Sequence, residues 1–205
     1  MTTRYIQALT LAAQVHDGQV RKGTSIPYIT HPVAVAALVA NFGGDEDQQI
    51  AALLHDVVED AKTRELALAC AKKIASDFGE RVHDMVFGCT DGMPDPSGEK
   101  APWADRKRNY LVHLDAASDE TLLVSGCDKL SNARAILDDL VTIGPAVFDR
   151  FNATKEQTLW YYTELAKIFA TRRSPVAAAL SATVEEIKQL ASGSGASASS
   201  SGQAY

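Results

Sequence analysis

Apolar positions along the chain recur three and four residues apart, and alternating polar and apolar runs rich in β-branched residues are missing, so the pattern predicts helices throughout. Ile6, Leu9, Ala13 and His16 mark a first helix that Gly18 can end. Residues 20–30 carry Gly23 and Pro27 and read as a loop. Thr30 is the expected N-cap of the next helix, with His31 or Pro32 in its first turn, where proline's missing N–H does no harm, and the run continues to about Phe42. A third helix begins after Asp45 and has Ile50, Leu53, Leu54, Val57 and Val58 as its apolar side. Further helices are predicted over 65–78, 81–87, 104–114, 120–140, 145–151, 155–169 and 176–190. Between them, Gly92, Pro94, Pro96, Gly98 and Pro102 make 90–102 a long loop, a feature that in a compact domain is either disordered or functional. The fold class is all-α, one helical domain over 1–191, followed by a flexible tail of Ser, Gly and Ala over 192–205.

Composition fits that picture. The 205 residues are 46% hydrophobic and 22% charged, an ordinary globular balance, and enough chain to bury a core without disulfides. With 26 acidic and 20 basic side chains the formal charge is −6, which argues against a protein that wraps nucleic acid while leaving room for a local basic pocket. Cys70, Cys89 and Cys127 are far apart and form no Cys-x-x-Cys, so neither a disulfide framework nor a zinc ribbon is written here. No export signal or membrane-spanning run is legible, and a cytoplasmic, soluble protein is expected. The oligomeric state is not readable.

Three His-Asp doublets occur, at His16-Asp17, His55-Asp56 and His83-Asp84, and context separates them. In His55-Asp56-Val57-Val58-Glu59-Asp60, read as the end of the third helix, i+4 spacing stacks His55 on Glu59 and Asp56 on Asp60. Four ionisable groups directly after the apolar Ile50-Ala51-Ala52-Leu53-Leu54 place charge where it is expensive, and a metal ion would offset the cost. His31 adds an imidazole at a helix start, and Asp128 is a lone carboxylate in the apolar stretch 122–130. Two imidazoles and two carboxylates suit a divalent ion such as Mn²⁺, Fe²⁺, Co²⁺ or Zn²⁺. His83-Asp84 and His113 lack such surroundings and read as surface residues; Trp103 and Trp160 read as packing aromatics, Trp103 also as a contact of the loop.

These segments resemble a known family. Ala13-x-x-His16-x-Gly18-Gln19-x-Arg21-Lys22-Gly23, Pro27-Tyr28-Ile29-Thr30-His31-Pro32, Ala51 through Asp60, Phe78-Gly79-x-x-Val82 and Asp128-Lys129-Leu130-x-Asn132-x-Arg134 together are similar to the HD-domain phosphohydrolases, and within them to the RelA/SpoT-type hydrolase domain whose stand-alone form is the small alarmone hydrolase. The resemblance covers about residues 5 to 170. It implies an HD-domain helical bundle and a metal-dependent enzyme that removes the 3′-pyrophosphate of a purine nucleotide alarmone of the stringent response, ppGpp or ppApp. The partner synthetase domain of larger relatives does not fit in this length, so breakdown alone is expected. By the same resemblance His31, His55, Asp56 and Asp128 hold one divalent cation, usually Mn²⁺, and Glu59 and Asp60 act on water and protons at the pyrophosphate.

Arg21 and Lys22 are implied beside base and phosphates, Asn132 at the ribose and Tyr161 against the nucleotide, with Tyr162 its immediate neighbour. Lys129, Arg134 and Arg106 complete the expected substrate contacts, and His16 is read as a supporting histidine. The partner is thus a small-molecule nucleotide, with no nucleic acid and no membrane. Alternatives are an HD phosphohydrolase for other nucleotides and a non-catalytic nucleotide sensor. One departure stands out: relatives commonly read Lys-Leu-Ala-Asp up to the aspartate ligand, and this chain reads Ser125-Gly126-Cys127-Asp128, which bears on phosphate contacts more than on the metal.

Overall fold

The computed structural model describes residues 2–92, 95 and 99–193. The expected tail from 194 onward and residues 93, 94 and 96–98 of the 90–102 loop lie outside them. Among the described residues there are nine α-helices and no strand: α1 Thr3–Val15, α2 Thr30–Asn41, α3 Glu46–Leu54, α4 Arg64–Phe78, α5 Glu80–Cys89, α6 Trp103–Asp115, α7 Asp119–Ile143, α8 Lys155–Thr171 and α9 Ala177–Ala191. None is long and apolar enough to cross a membrane. Side-chain caps start several of them: Asp45 and Gln48 form a reciprocal capping box on α3, Thr154 and Gln157 another on α8, and Ser118 caps α7.

Three expectations need correction. Thr30 is the first residue of α2 and not its cap, because Ile29 is already helical in φ and ψ and the Thr30 hydroxyl donates back to the Pro27 carbonyl at 2.8 Å. The helix read through Val58 ends at Leu54, with His55 as its C-cap and turns after it. The helix expected over 145–151 is a 3₁₀ helix, Gly144–Arg150, which starts where Gly144 leaves α7 at φ +67° and carries Pro145, which has no N–H to give to a longer ladder.

The 25-residue α7 is the axis of the molecule. It packs against α2, α3 and α5 on one side and α8 and α9 on the other, while α3 also rests on α1 and α5. Enclosed this way, every residue from Thr121 to Asp128 is buried, so no face of these two turns is free for solvent. Small side chains make the crowding possible. A Cβ on Gly126 would lie 2.4 Å from Val176 Cγ2 and 2.9 Å from Phe169 Cε1, so α7 can meet α8 and the start of α9 only over a glycine.

The expected consequence is that Gly126→Ala lowers stability by about 1–3 kcal/mol through overpacking, despite alanine's better helix propensity. Urea unfolding of the two proteins measures it.

Candidate active site and metal centre

The buried run Ile50 to Leu54 anchors the end of α3 in the core and thereby fixes where the chain emerges. Two main-chain bonds, Val57 N–H to Leu54 O at 3.0 Å and Asp60 N–H to Asp56 O at 2.9 Å, then wind the segment into turns. A regular helix would have kept His55 over Glu59; the turns instead direct Asp56 toward His31 and Glu59 toward the start of the 90–102 loop.

Asp56 meets residues from two other helices. His31 Nε2, on the first turn of α2, lies 3.0 Å from Asp128 Oδ1 and 3.7 Å from Asp56 Oδ2. His55 Nε2 lies 3.0 Å from Asp56 Oδ2 and 3.5 Å from Asp128 Oδ1. The side chains of His31, His55 and Asp128 are nearly inaccessible, and that of Asp56 is 16% exposed. The ligand atoms of His31, His55 and Asp128 all fall within 4.8 Å of one another.

This donor set fits a divalent metal ion. His55 Nδ1 lies 2.8 Å from the Ala52 carbonyl, which puts a proton on that nitrogen and turns Nε2 toward the centre of the group. That Nε2 is buried without a hydrogen-bond partner and faces two carboxylates. Facing anionic oxygens, that nitrogen needs positive charge between it and them, either a proton on the ring or a metal ion in its place. Burial works against a charged His55, yet Asp56 and Asp128 outweigh it and raise its pKa, a measure of how negative this pocket is.

Neighbours hold the carboxylates ionised and in place. Burial pushes Asp128 upward, but Lys129 and the imidazoles overcome it and keep it well below the usual carboxylate range. Lys129 Nζ donates to Asp128 Oδ2 at 2.6 Å and Asn132 Nδ2 to Asp128 Oδ1 at 2.6 Å. Lys129 also sits 4.9 Å over the Tyr110 ring, whose hydroxyl is 2.7 Å from Ser125 Oγ. The Tyr28 hydroxyl donates to Asp56 Oδ2 at 2.6 Å, and burial together with the nearby carboxylates raises its pKa and keeps it a donor. His31 Nδ1 is 3.3 Å from Ser131 Oγ. His16 stands behind Tyr28, rings 4.8 Å apart, with Nδ1 2.8 Å from Gln19 Oε1.

Glu59 and Asp60 border this group. Burial, then the charges of Asp91 and Asp56, push Glu59 up to about 7 against the pull of Lys100, whose Nζ is 3.5 Å away. Burial and Asp56 raise Asp60 as well. A carboxylate near pH 7 is matched to accepting or giving a proton.

A cleft of about 440 Å³ opens beside His31, lined by Arg21, Lys22, Asn132, Arg150, Phe151 and Tyr162 among others. Arg21 Nη2 donates to Asn132 Oδ1 at 2.7 Å and Lys22 Nζ to Asn152 Oδ1 at 2.7 Å. Gly23, at φ +72°, has Arg150 directly against it: a Cβ there would stand 2.6 Å from Arg150 Cδ.

Four expected substrate contacts sit elsewhere. Tyr162, and not Tyr161, lines the cleft, since neighbours on a helix diverge by about 100°. Tyr161 turns into a smaller pocket of about 200 Å³ with Trp103 and Lys107, its hydroxyl buried without a partner. Arg134, two residues past Asn132 on α7, is on the opposite, exposed side. Lys129 is spent on Asp128, and Arg106 is bound to Asp91. Sequence reasoning missed Asp91, Arg150, Phe151 and the role of Tyr28, of which only Tyr28 carried a signal, as part of the Pro27-to-Pro32 segment.

The HD domain family matches residues 8–170. The chain is 36% identical over 132 residues to the guanosine-3′,5′-bis(diphosphate) 3′-pyrophosphohydrolase MESH1 of Xenopus tropicalis, covering 63% of this chain and 67% of that one. It is 31% identical over 169 residues to the bifunctional (p)ppGpp synthase/hydrolase SpoT of Escherichia coli K12, covering 80% of this chain and 21% of that much longer protein. Among solved structures, a metazoan ortholog of SpoT described as hydrolysing ppGpp matches with a TM-score of 0.57 at 26% identity, over 84% of this chain and 97% of that one. A Listeria monocytogenes protein shares the fold with a TM-score of 0.64 at 23% identity, over 80% of this chain and 99% of that one.

Removing the Tyr28 hydroxyl tests the support of the metal group. Tyr28→Phe is expected to weaken divalent-cation affinity about 10- to 100-fold with the fold intact, as measured by calorimetric titration of the metal-free protein.

Proposed function

The chain belongs to the HD-domain family, and we propose that its 1–191 unit is a metal-dependent phosphohydrolase that removes the 3′-pyrophosphate of a purine nucleotide alarmone of the (p)ppGpp type in the cytoplasm. The observation that carries this reading is a buried two-imidazole, two-carboxylate group that meets the cleft at His31, together with the Glu59 carboxylate, raised to about 7 in part by the charge of Asp56. His31, His55, Asp56 and Asp128 are the residues that would hold the cation, with Mn²⁺ our assignment from the resemblance and Zn²⁺, Co²⁺ and Fe²⁺ sharing the same donors. When bound, it supplies Lewis-acid polarisation of a phosphoryl oxygen and acidifies water.

In the reaction, water adds to the phosphorus next to the ribose and the bond from that phosphorus to O3′ breaks, giving pyrophosphate and the nucleoside 5′-di- or triphosphate. Glu59 is suited to take the proton from the water, and Asp60, raised by burial and Asp56, to hold or return a proton at the leaving O3′. Arg21, Lys22 and Asn132, tied to the cleft walls, bind nucleoside and phosphates, and Tyr162 offers an aromatic face to the base. Guanosine is the default nucleoside and adenosine the alternative.

The purified protein with Mn²⁺ is expected to release pyrophosphate from ppGpp, ppApp or both, and Asp128→Ala to release none. Intact substrate in every metal, with alarmone still bound, would favour a sensor over an enzyme. The pH dependence follows from Glu59. Below about pH 7 its carboxylate is protonated and cannot accept the water's proton, so kcat/KM falls on the acid side and is level above. Glu59→Gln removes that limb and lowers kcat by about 10²- to 10⁴-fold, as read from rates across pH 5.5–8.5, a range of about three units centred on that value.

A further inference from the structure

Asp91 follows α5 at the head of the connection to α6. Its side chain is only 2% exposed, and an ionised carboxylate so deeply placed needs partners. It takes them from the first two turns of α6, where the Arg106 guanidinium and the Lys107 ammonium both donate to it. Burial pushes Asp91 upward, but Lys107 and Arg106 more than reverse this and hold it below the usual carboxylate range. Its main-chain N–H meanwhile donates to Glu59 Oε2 at 3.2 Å.

The contacts close on themselves. Glu59 Oε1 lies 3.5 Å from Lys100 Nζ and 3.9 Å from Arg106 Nη1, so the cation that Asp91 anchors also faces the carboxylate that Asp91 orients. Arg106 Nε is held by the Ala101 carbonyl at 3.1 Å, and Lys107 Nζ stands 4.9 Å over the Tyr161 ring. Lys107 and Lys22 both line the smaller pocket beyond Tyr162, which shares that wall with the cleft. The group thus links Glu59 to Arg106 and to Lys107, which shares the lining of the smaller pocket with Lys22.

We propose that Asp91 is a positioning residue for the hydrolysis: its amide orients the Glu59 carboxylate, and its own carboxylate holds Lys107 and the Arg106 that faces Glu59, so that the proton acceptor is presented in one orientation. The inference rests on the role of Glu59 given above. A plain structural anchor for α6 would need the ion pairs but not the amide contact to Glu59.

The test compares Asp91→Asn and Asp91→Glu with the wild type for ppGpp and ppApp hydrolysis in Mn²⁺, bound metal and thermal unfolding. The groups facing Glu59 are Asp56, Asp91, Lys100 and Arg106. Asp91→Asn removes a negative charge from that set, so we expect undiminished metal content, a kcat about 10- to 100-fold lower and an acid limb displaced to lower pH. Asp91→Glu keeps the charge, leaves the limb in place and recovers part of kcat. A merely structural role lowers the melting temperature of both variants and moves neither limb. If Asp91→Asn does not fold, the double variant D91N/K107M, which removes both buried charges, replaces it, with a displacement in the same direction but smaller because a cation is lost as well. Wild-type kcat and limb in the Asn variant, whatever its melting temperature, would overturn the proposal. A wild type inactive on both tetraphosphates would overturn the reaction itself, and this proposal with it.

Discussion

In the interior, the Nε2 atoms of His31 and His55 each lie within 4 Å of both the Asp56 and the Asp128 carboxylates, which concentrates negative charge where water cannot screen it. Most of the remaining polar structure follows from that constraint. Buried carboxylates must be compensated: both Asp128 oxygens have a donor, Lys129 and Asn132, and Asp56 Oδ2 receives Tyr28. Each imidazole is oriented by its other nitrogen, His55 on a carbonyl and His31 beside Ser131. What is left over is directed negative potential, which is what a divalent cation requires.

The same logic accounts for the departure at Ser125. Lys129 reaches Asp128 from one residue further along α7, and Ser125 is reduced to a partner for the Tyr110 hydroxyl that lies under that lysine. The compact Ser125-Gly126-Cys127 also lets α7 be wrapped on all sides, so the positioning of Asp128 and the packing of the core are one problem. The cost is that Lys129 is committed to Asp128 and is not available to a phosphate.

Outside the metal group, charge is arranged in pairs that fix the walls of the cleft. Arg21 with Asn132 ties the loop of 20–30 to α7, and Lys22 with Asn152 ties it to the segment after the 3₁₀ helix. Away from the cleft, Asp91 joins α6 to Glu59 in the same manner. A cleft built this way presents cations whose partners are weak or shared, and a substrate with several phosphate oxygens can compete for them.

Helix existence was legible because burying one face of a helix forces apolar residues to recur every three to four positions, and the placements of α1 through α9 follow that rhythm. The local motifs containing His31, His55-Asp56 and Asp128 were legible for a related reason: ionisable groups inside apolar runs are costly and stand out. Three things were not legible. The end of α3 at Leu54 depends on where His55 and Asp56 find partners, and those come from α2 and α7. Whether Tyr161 or Tyr162 faces the cleft depends on the rotation of α8, and Arg134 on that of α7, which only packing decides. Asp91, a common residue in a loop, acquires meaning solely from Arg106, Lys107 and Glu59, residues 15, 16 and 32 positions away in the chain. Sequence by itself determined the periodic elements and the family-bearing residues, because these are set by local spacing and by the cost of burying charge. Tertiary structure decided which side chains meet, because a contact between distant residues is fixed by helix rotation and packing, neither of which a linear pattern encodes.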